Sequence, residues 1–113
     1  MVSHEVMGNT LLLRLRGDLD IRGAQELRLA AENLLRGGTG RSVILDLTGV
    51  EFVDSSGLGA ILGRYRQVLD SAGRMAVYGA SPRVASLLEV AGITGIIPLH
   101  ESLDRALAYV KER

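Results

Sequence analysis

The chain has no cysteine, which excludes a disulfide framework and any thiolate metal site. Tryptophan is absent too, and three tyrosines with one phenylalanine are all the aromatics there are. The core must therefore be leucine, isoleucine, valine and alanine. Neither sign of charge is in excess, since thirteen basic residues meet thirteen acidic ones. Direct nucleic-acid binding is not expected of such a chain, because phosphate contacts normally show as a basic surplus. Long apolar runs are missing as well. Leu11-Leu12-Leu13 is typical of the longest, far below the roughly twenty residues that span a bilayer, so no membrane partner is expected. The opening MVSHEVMGNT holds no basic stretch followed by an apolar one, so no secretory signal is visible and the expected location is cytoplasmic.

What is present suffices for a folded unit. The 113 residues are 47% hydrophobic, enough for one domain, residues 1–113, with a buried core. Leu11 to Arg16 half alternates and reads as a strand; His4 to Met7 and the Gly8-Asn9 pair before it predict a hairpin. Arg22 to Arg36 places Ala24, Leu27, Ala31, Leu34 and Leu35 on one helical face, and Gly37-Gly38-Thr39-Gly40 ends that helix. Ser42 to Leu47 has the apolar character of a covered strand. Leu58, Ile61, Leu62, Tyr65 and Leu69 form the next helical stripe, which stops near Ser71-Ala72-Gly73. Met75 to Tyr78 is another strand. Ser81-Pro82 opens a helix with a cap and a first-turn proline, Gly92 closes it, Ile96 to Leu99 is a last strand, and Leu103, Leu107 and Val110 mark a terminal helix. The order ββαβαβαβα predicts an α/β fold with a mostly parallel sheet of four to five strands and about four helices.

The stretch that raises a question of chemistry is VDSSGLG, Val53 to Gly59. A nucleophile elbow needs glycine two residues before and two after its serine. Ser55 has Val53 before it, and Ser56 has Leu58 after it, so a hydrolytic triad fails on spacing; His4 and His100 are solvated histidines instead. Gly57, Gly59 and Gly63 place the third glycine one position too late for a dinucleotide fingerprint. No residues cluster at metal-ligand spacing, and no cofactor is expected. Gly59 and Gly63 form a small-residue ridge that either packs on the sheet or meets a partner.

A strand-to-helix junction remains. Asp54, Ser55 and Ser56 can each cap a helix, and a helix N-terminus tolerates an added phosphate because free amides and the dipole favour negative charge there. Asp20, in Gly17-Asp18-Leu19-Asp20, stands at the end of the first long strand in the same way. If the strands from Leu11 and Ser42 run parallel, Asp20 and Ser55 are neighbours on the sheet edge where open α/β folds place their binding sites.

Ile44 to Gln67, ILDLTGVEFVDSSGLGAILGRYRQ, resembles the core signature of STAS-domain anti-sigma factor antagonists, above all those of sporulation. RLRGDLD at Arg14 to Asp20 and SPRVASLLEVAGI at Ser81 to Ile93 support the resemblance, which spans nearly the whole chain. Arg22-Gly23 departs from it, where relatives often carry more polar residues at the start of the helix. The resemblance implies a regulatory binding module rather than an enzyme. Its unphosphorylated form binds an anti-sigma factor that is also a serine kinase and so frees the sigma factor. The kinase then phosphorylates the serine after the aspartate, which is Ser55, and a metal-dependent serine phosphatase reverses this. The resemblance further implies a role for Asp20 in kinase recognition and a partner surface of Asp20, Asp54, Ser56, Gly57, Leu58, Gly59 and Arg64. The alternatives are a STAS module of a general stress or lipid-transport pathway and, from another class, a small nucleotide-binding or hydrolytic protein, which ATP turnover would reveal. The lack of a transmembrane segment argues against the tail of a transporter.

Overall fold

The N-terminal hairpin forms as expected, and its turn shows why. In the computed structural model, which describes residues 1–36 and 41–112, β1 (Val2–Met7) and β2 (Thr10–Arg16) pair antiparallel, with Met7 opposite Thr10. Between them Gly8 takes φ +61°, a left-handed conformation that glycine adopts without steric cost. The chain then crosses through α1 (Ile21–Leu35) to β3 (Ser42–Gly49) and through α2 (Ser55–Asp70) to β4 (Met75–Tyr78). A further crossover through α3 (Pro82–Val90) reaches β5 (Leu99–His100), and α4 (Leu103–Val110) follows. The sheet order is β1-β2-β3-β4-β5, with β2 to β5 parallel. Among the described residues the fold is thus α/β, a mixed five-stranded sheet with four α-helices. The glycine cluster Gly37-Gly38-Thr39-Gly40 assigned as the stop of α1 lies outside the described residues.

Both faces of the central strands are covered, which is why Leu11, Leu12 and Leu13 are buried in succession. Leu11, Leu13, Val43, Leu45 and Val77 point into a core shared with Leu27, Ala31, Ile61 and Val84 from α1, α2 and α3. Leu12, Ile44 and Ala76 point the other way, against Ala106 and Val110 of α4. Each fully buried leucine or isoleucine contributes about 1.5–3 kcal/mol of transfer free energy, so these two aliphatic clusters dominate the fold. Further along this second face the side chains are polar. Tyr78 donates its hydroxyl to Asp46 Oδ2 at 2.9 Å, the Thr48 amide donates to Asp46 Oδ1 at 2.9 Å, and Arg14 pairs with Asp46 and Glu5.

Two elements depart from expectation. The last strand is Leu99–His100 rather than Ile96 to Leu99. Ile93–Gly95 winds into a 3₁₀ turn after Gly92, whose φ is +79°. Pro98, with no amide to donate, offers only its carbonyl to Val77. In α2 the buried face is Gly57, Ile61, Arg64 and Val68. Leu62 and Leu69, expected on the inner stripe, are exposed, and Leu58 and Tyr65 are half-buried beside the core. Hydrophobicity favoured a stripe rotated from the true one because an arginine occupies an inward position.

Candidate functional site

The carboxyl ends of β2 and β3 are sewn together. The Leu19 amide donates to the Phe52 carbonyl at 2.8 Å, and the Asp54 amide donates to the Leu19 carbonyl at 3.2 Å. Leu19 and Val53 form a parallel bridge. This seam brings the starts of α1 and α2 side by side.

Both helices begin in the same way. Asp20 accepts from the Gly23 amide at 3.0 Å, and Asp54 accepts from the Gly57 amide at 3.0 Å. An aspartate cap followed three residues later by glycine thus occurs twice, at 20–23 and 54–57. The glycines have a steric reason: a Cβ on Gly57 would overlap the Leu19 carbonyl oxygen, and one on Gly23 would stand 2.6 Å from the Asp18 carbonyl oxygen. The Gly23 bond is the main cause that holds the Asp20 carboxyl below the usual aspartate range.

Because Asp54 does the capping, the serines are left over. Ser55 is exposed at the first helical position, and its hydroxyl makes no hydrogen bond to a described residue. Ser56 is half-buried beside it. Asp20 and Asp54 line a common hollow with Ile21, Arg22 and Gln25. From there a groove of about 450 Å³ runs between α1 and α2, lined by Ile21, Gln25 and Arg28 on one side and Ser56, Gly59, Ala60, Gly63 and Arg64 on the other.

The residues expected at a partner surface are therefore sorted by depth. Asp20, Asp54, Ser55 and Ser56 meet at the sheet edge, and Gly59 and Arg64 line the groove that leaves it. Gly57 is buried beneath Leu19, and Leu58 is half-buried, packing against the core on one side and keeping the rest of its surface open. A Cβ on Gly59 or Gly63 would meet nothing within 4 Å; the ridge faces open space and does not pack on the sheet. Ile21, 65% exposed, was missed. The repeated Asp-x-x-Gly was the signal that could have located both helix ends. No three His, Asp or Glu residues converge among the described residues to hold a metal, and no helix there is long and apolar enough to cross a membrane.

Against known proteins, the model of the STAS domain matches residues 2–106. The anti-sigma F factor antagonist of Paenibacillus polymyxa is 35% identical over 97 residues, covering 86% of this chain and 83% of the relative. Among solved structures, the anti-sigma factor antagonist SpoIIAA in its unphosphorylated form superposes with a TM-score of 0.76 at 25% identity, over 100% of both chains. The phosphorylated form of the Bacillus cell fate determinant SpoIIAA gives 0.74 at 26% identity, covering 98% of this chain and 100% of the other.

Proposed function

The chain belongs to the STAS domain family, and from that premise we propose that it is an anti-sigma factor antagonist switched by phosphorylation of Ser55. In the unphosphorylated state it binds an anti-sigma factor that is also a serine kinase and frees the sigma factor held there. Phosphorylation ends the binding, and a metal-dependent serine phosphatase restores it. The chain itself is the substrate in this cycle rather than a catalyst, and the cycle runs in the cytoplasm. A relative solved in both phosphorylated and unphosphorylated forms supports the reading.

The observation that carries it is the exposed Ser55 hydroxyl, without a hydrogen-bond partner among the described residues, beside an aspartate that already caps the helix. Phosphorylation adds about −1.5 to −2 charges at neutral pH. At the first turn of α2 that charge meets helix amides and a favourable dipole, so the domain stays folded. The effect falls on binding. An interface fitted to a neutral hydroxyl must desolvate the new charge next to two carboxylates, which costs several kcal/mol, and each 1.4 kcal/mol is about tenfold in affinity.

Ser55→Asp is therefore expected to melt like wild type and fail to bind the anti-sigma factor, whereas Ser55→Ala binds and is never inactivated. Ser56→Ala remains a substrate. Mass spectrometry of kinase-treated protein checks the assignment. A phosphate on Ser56, or wild-type affinity in Ser55→Asp, would refute it.

A further inference from the structure

Arg64 is a buried cation without a hydrogen-bond or ion-pair partner among the described residues. It lies on the inner side of α2 between Ile61 and Val68 and is 7% exposed. Its Nε and Nη1 make no hydrogen bond to any described residue. Burial pulls its pKa below that of an ordinary arginine; Glu32 works against this through space, and Arg28 works with it. Two guanidinium nitrogens that give up water without gaining an acceptor are costly, since buried charges are normally paired and hydrogen-bonded.

The surroundings say where an acceptor would enter. Arg64 lines the groove between α1 and α2, opposite Arg28. Along the same wall Gly59 and Gly63 present bare backbone to open space, which leaves room for another chain to come close. At its upper end the groove shares Ile21 and Gln25 with the hollow of Asp20 and Asp54. It thus continues the surface around Ser55.

We propose that this groove receives an acidic side chain, aspartate or glutamate, of the anti-sigma factor, and that Arg64, assisted by Arg28, holds its carboxylate. The inference rests on the function proposed above and adds the chemistry of one contact to it. A protein carboxylate fits the site better than a small phosphate ligand. Two guanidiniums with Glu32 close by suit one negative charge rather than two or more, and an elongated groove with exposed Ile21 at its mouth suits a polypeptide.

The test compares wild type with Arg64→Met for binding to the anti-sigma factor and for thermal stability. The variant is expected to melt no lower than wild type, because an unpaired buried charge is replaced by an apolar side chain of similar length. Its affinity is expected to fall roughly thirtyfold or more, as when one member of a buried charge pair is removed from an interface. Wild-type affinity in the variant overturns the contact but leaves the antagonist function standing. A melt several degrees lower than wild type shows a structural arginine and overturns it too. In a second arm the isolated chain is titrated with inorganic phosphate and with ATP while the Arg64 Nε–H is followed by NMR. Saturable binding of either probe would make this a small-anion site and overturn the inference; no shift is the expected result. If wild type does not bind the anti-sigma factor at all, the underlying function fails and the contact with it.

Discussion

Gly57 and Gly59 stand two positions apart and meet opposite surroundings. A Cβ on Gly57 would overlap the Leu19 carbonyl oxygen and come within 2.9 Å of Leu19 Cγ and Val53 Cγ1, whereas one on Gly59 would meet nothing. Gly57→Ala therefore overpacks the seam between β2 and α2 and is expected to lose about 1–3 kcal/mol. Gly59→Ala fills no occupied space and removes the entropic cost of glycine in a helix, so it is expected to gain about 0.5–1 kcal/mol. Urea denaturation of the pair measures both signs, and equal stability of the two variants would contradict this packing. Such opposite roles cannot be read from the motif, in which both residues are simply glycine. Arg64 misled in the same way: a charged residue marks the outside of a helix by default, and only the position of the neighbouring α1 shows that it turns inward.

At the scale of elements, most boundaries were legible because local chemistry fixes them. Gly8-Asn9 made the hairpin, and Ser81 caps α3 through the Val84 amide at 3.2 Å just ahead of Pro82. Where tertiary packing decides, local chemistry does not suffice, as in the rotated stripe of α2 and the displaced β5. The cross-strand cluster on β2, β3 and β4 was invisible in advance, since the register that aligns Arg14, Asp46 and Tyr78 belongs to the assembled sheet. Burial pushes the Asp46 carboxyl up, but hydrogen bonds from Thr48 and Tyr78 and the charge of Arg14 outweigh it and hold the group below the ordinary aspartate range. A lowered folded-state pKa adds stability that is complete above that range and is lost as the pH falls below it. Asp46→Asn, which does not titrate, is expected to lose less stability than wild type between pH 5 and pH 3, on the order of the carboxylate range. Denaturant midpoints across that interval decide; parallel curves for the two proteins would exclude a role for Asp46 in acid sensitivity.

For the whole molecule, strand–helix alternation sufficed to put Asp20 and Ser55 on one edge, because parallel strands must bring their carboxyl ends together. The groove beyond that edge depends on how α1 packs against α2, which alternation alone does not set. The same topology has a bearing on how the protein breathes. β5 is two residues long and is held by two register pairs, Val77 with Leu99 and Tyr78 with His100, whereas β2 and β3 lie in the middle of the sheet. Regions with few buried contacts open at low free energy, and the central strands open only with the whole fold. Native-state hydrogen exchange should therefore find the amides of Leu99 and His100 trading their protons well before those of Leu13 and Leu45; simultaneous exchange would mean that the sheet opens as one unit. The seam at Leu19 and Val53 hangs from the slow strands. A chain caught with its far end frayed would still present Ser55 on an intact platform, so partial opening in the cell need not interrupt its conversation with a partner.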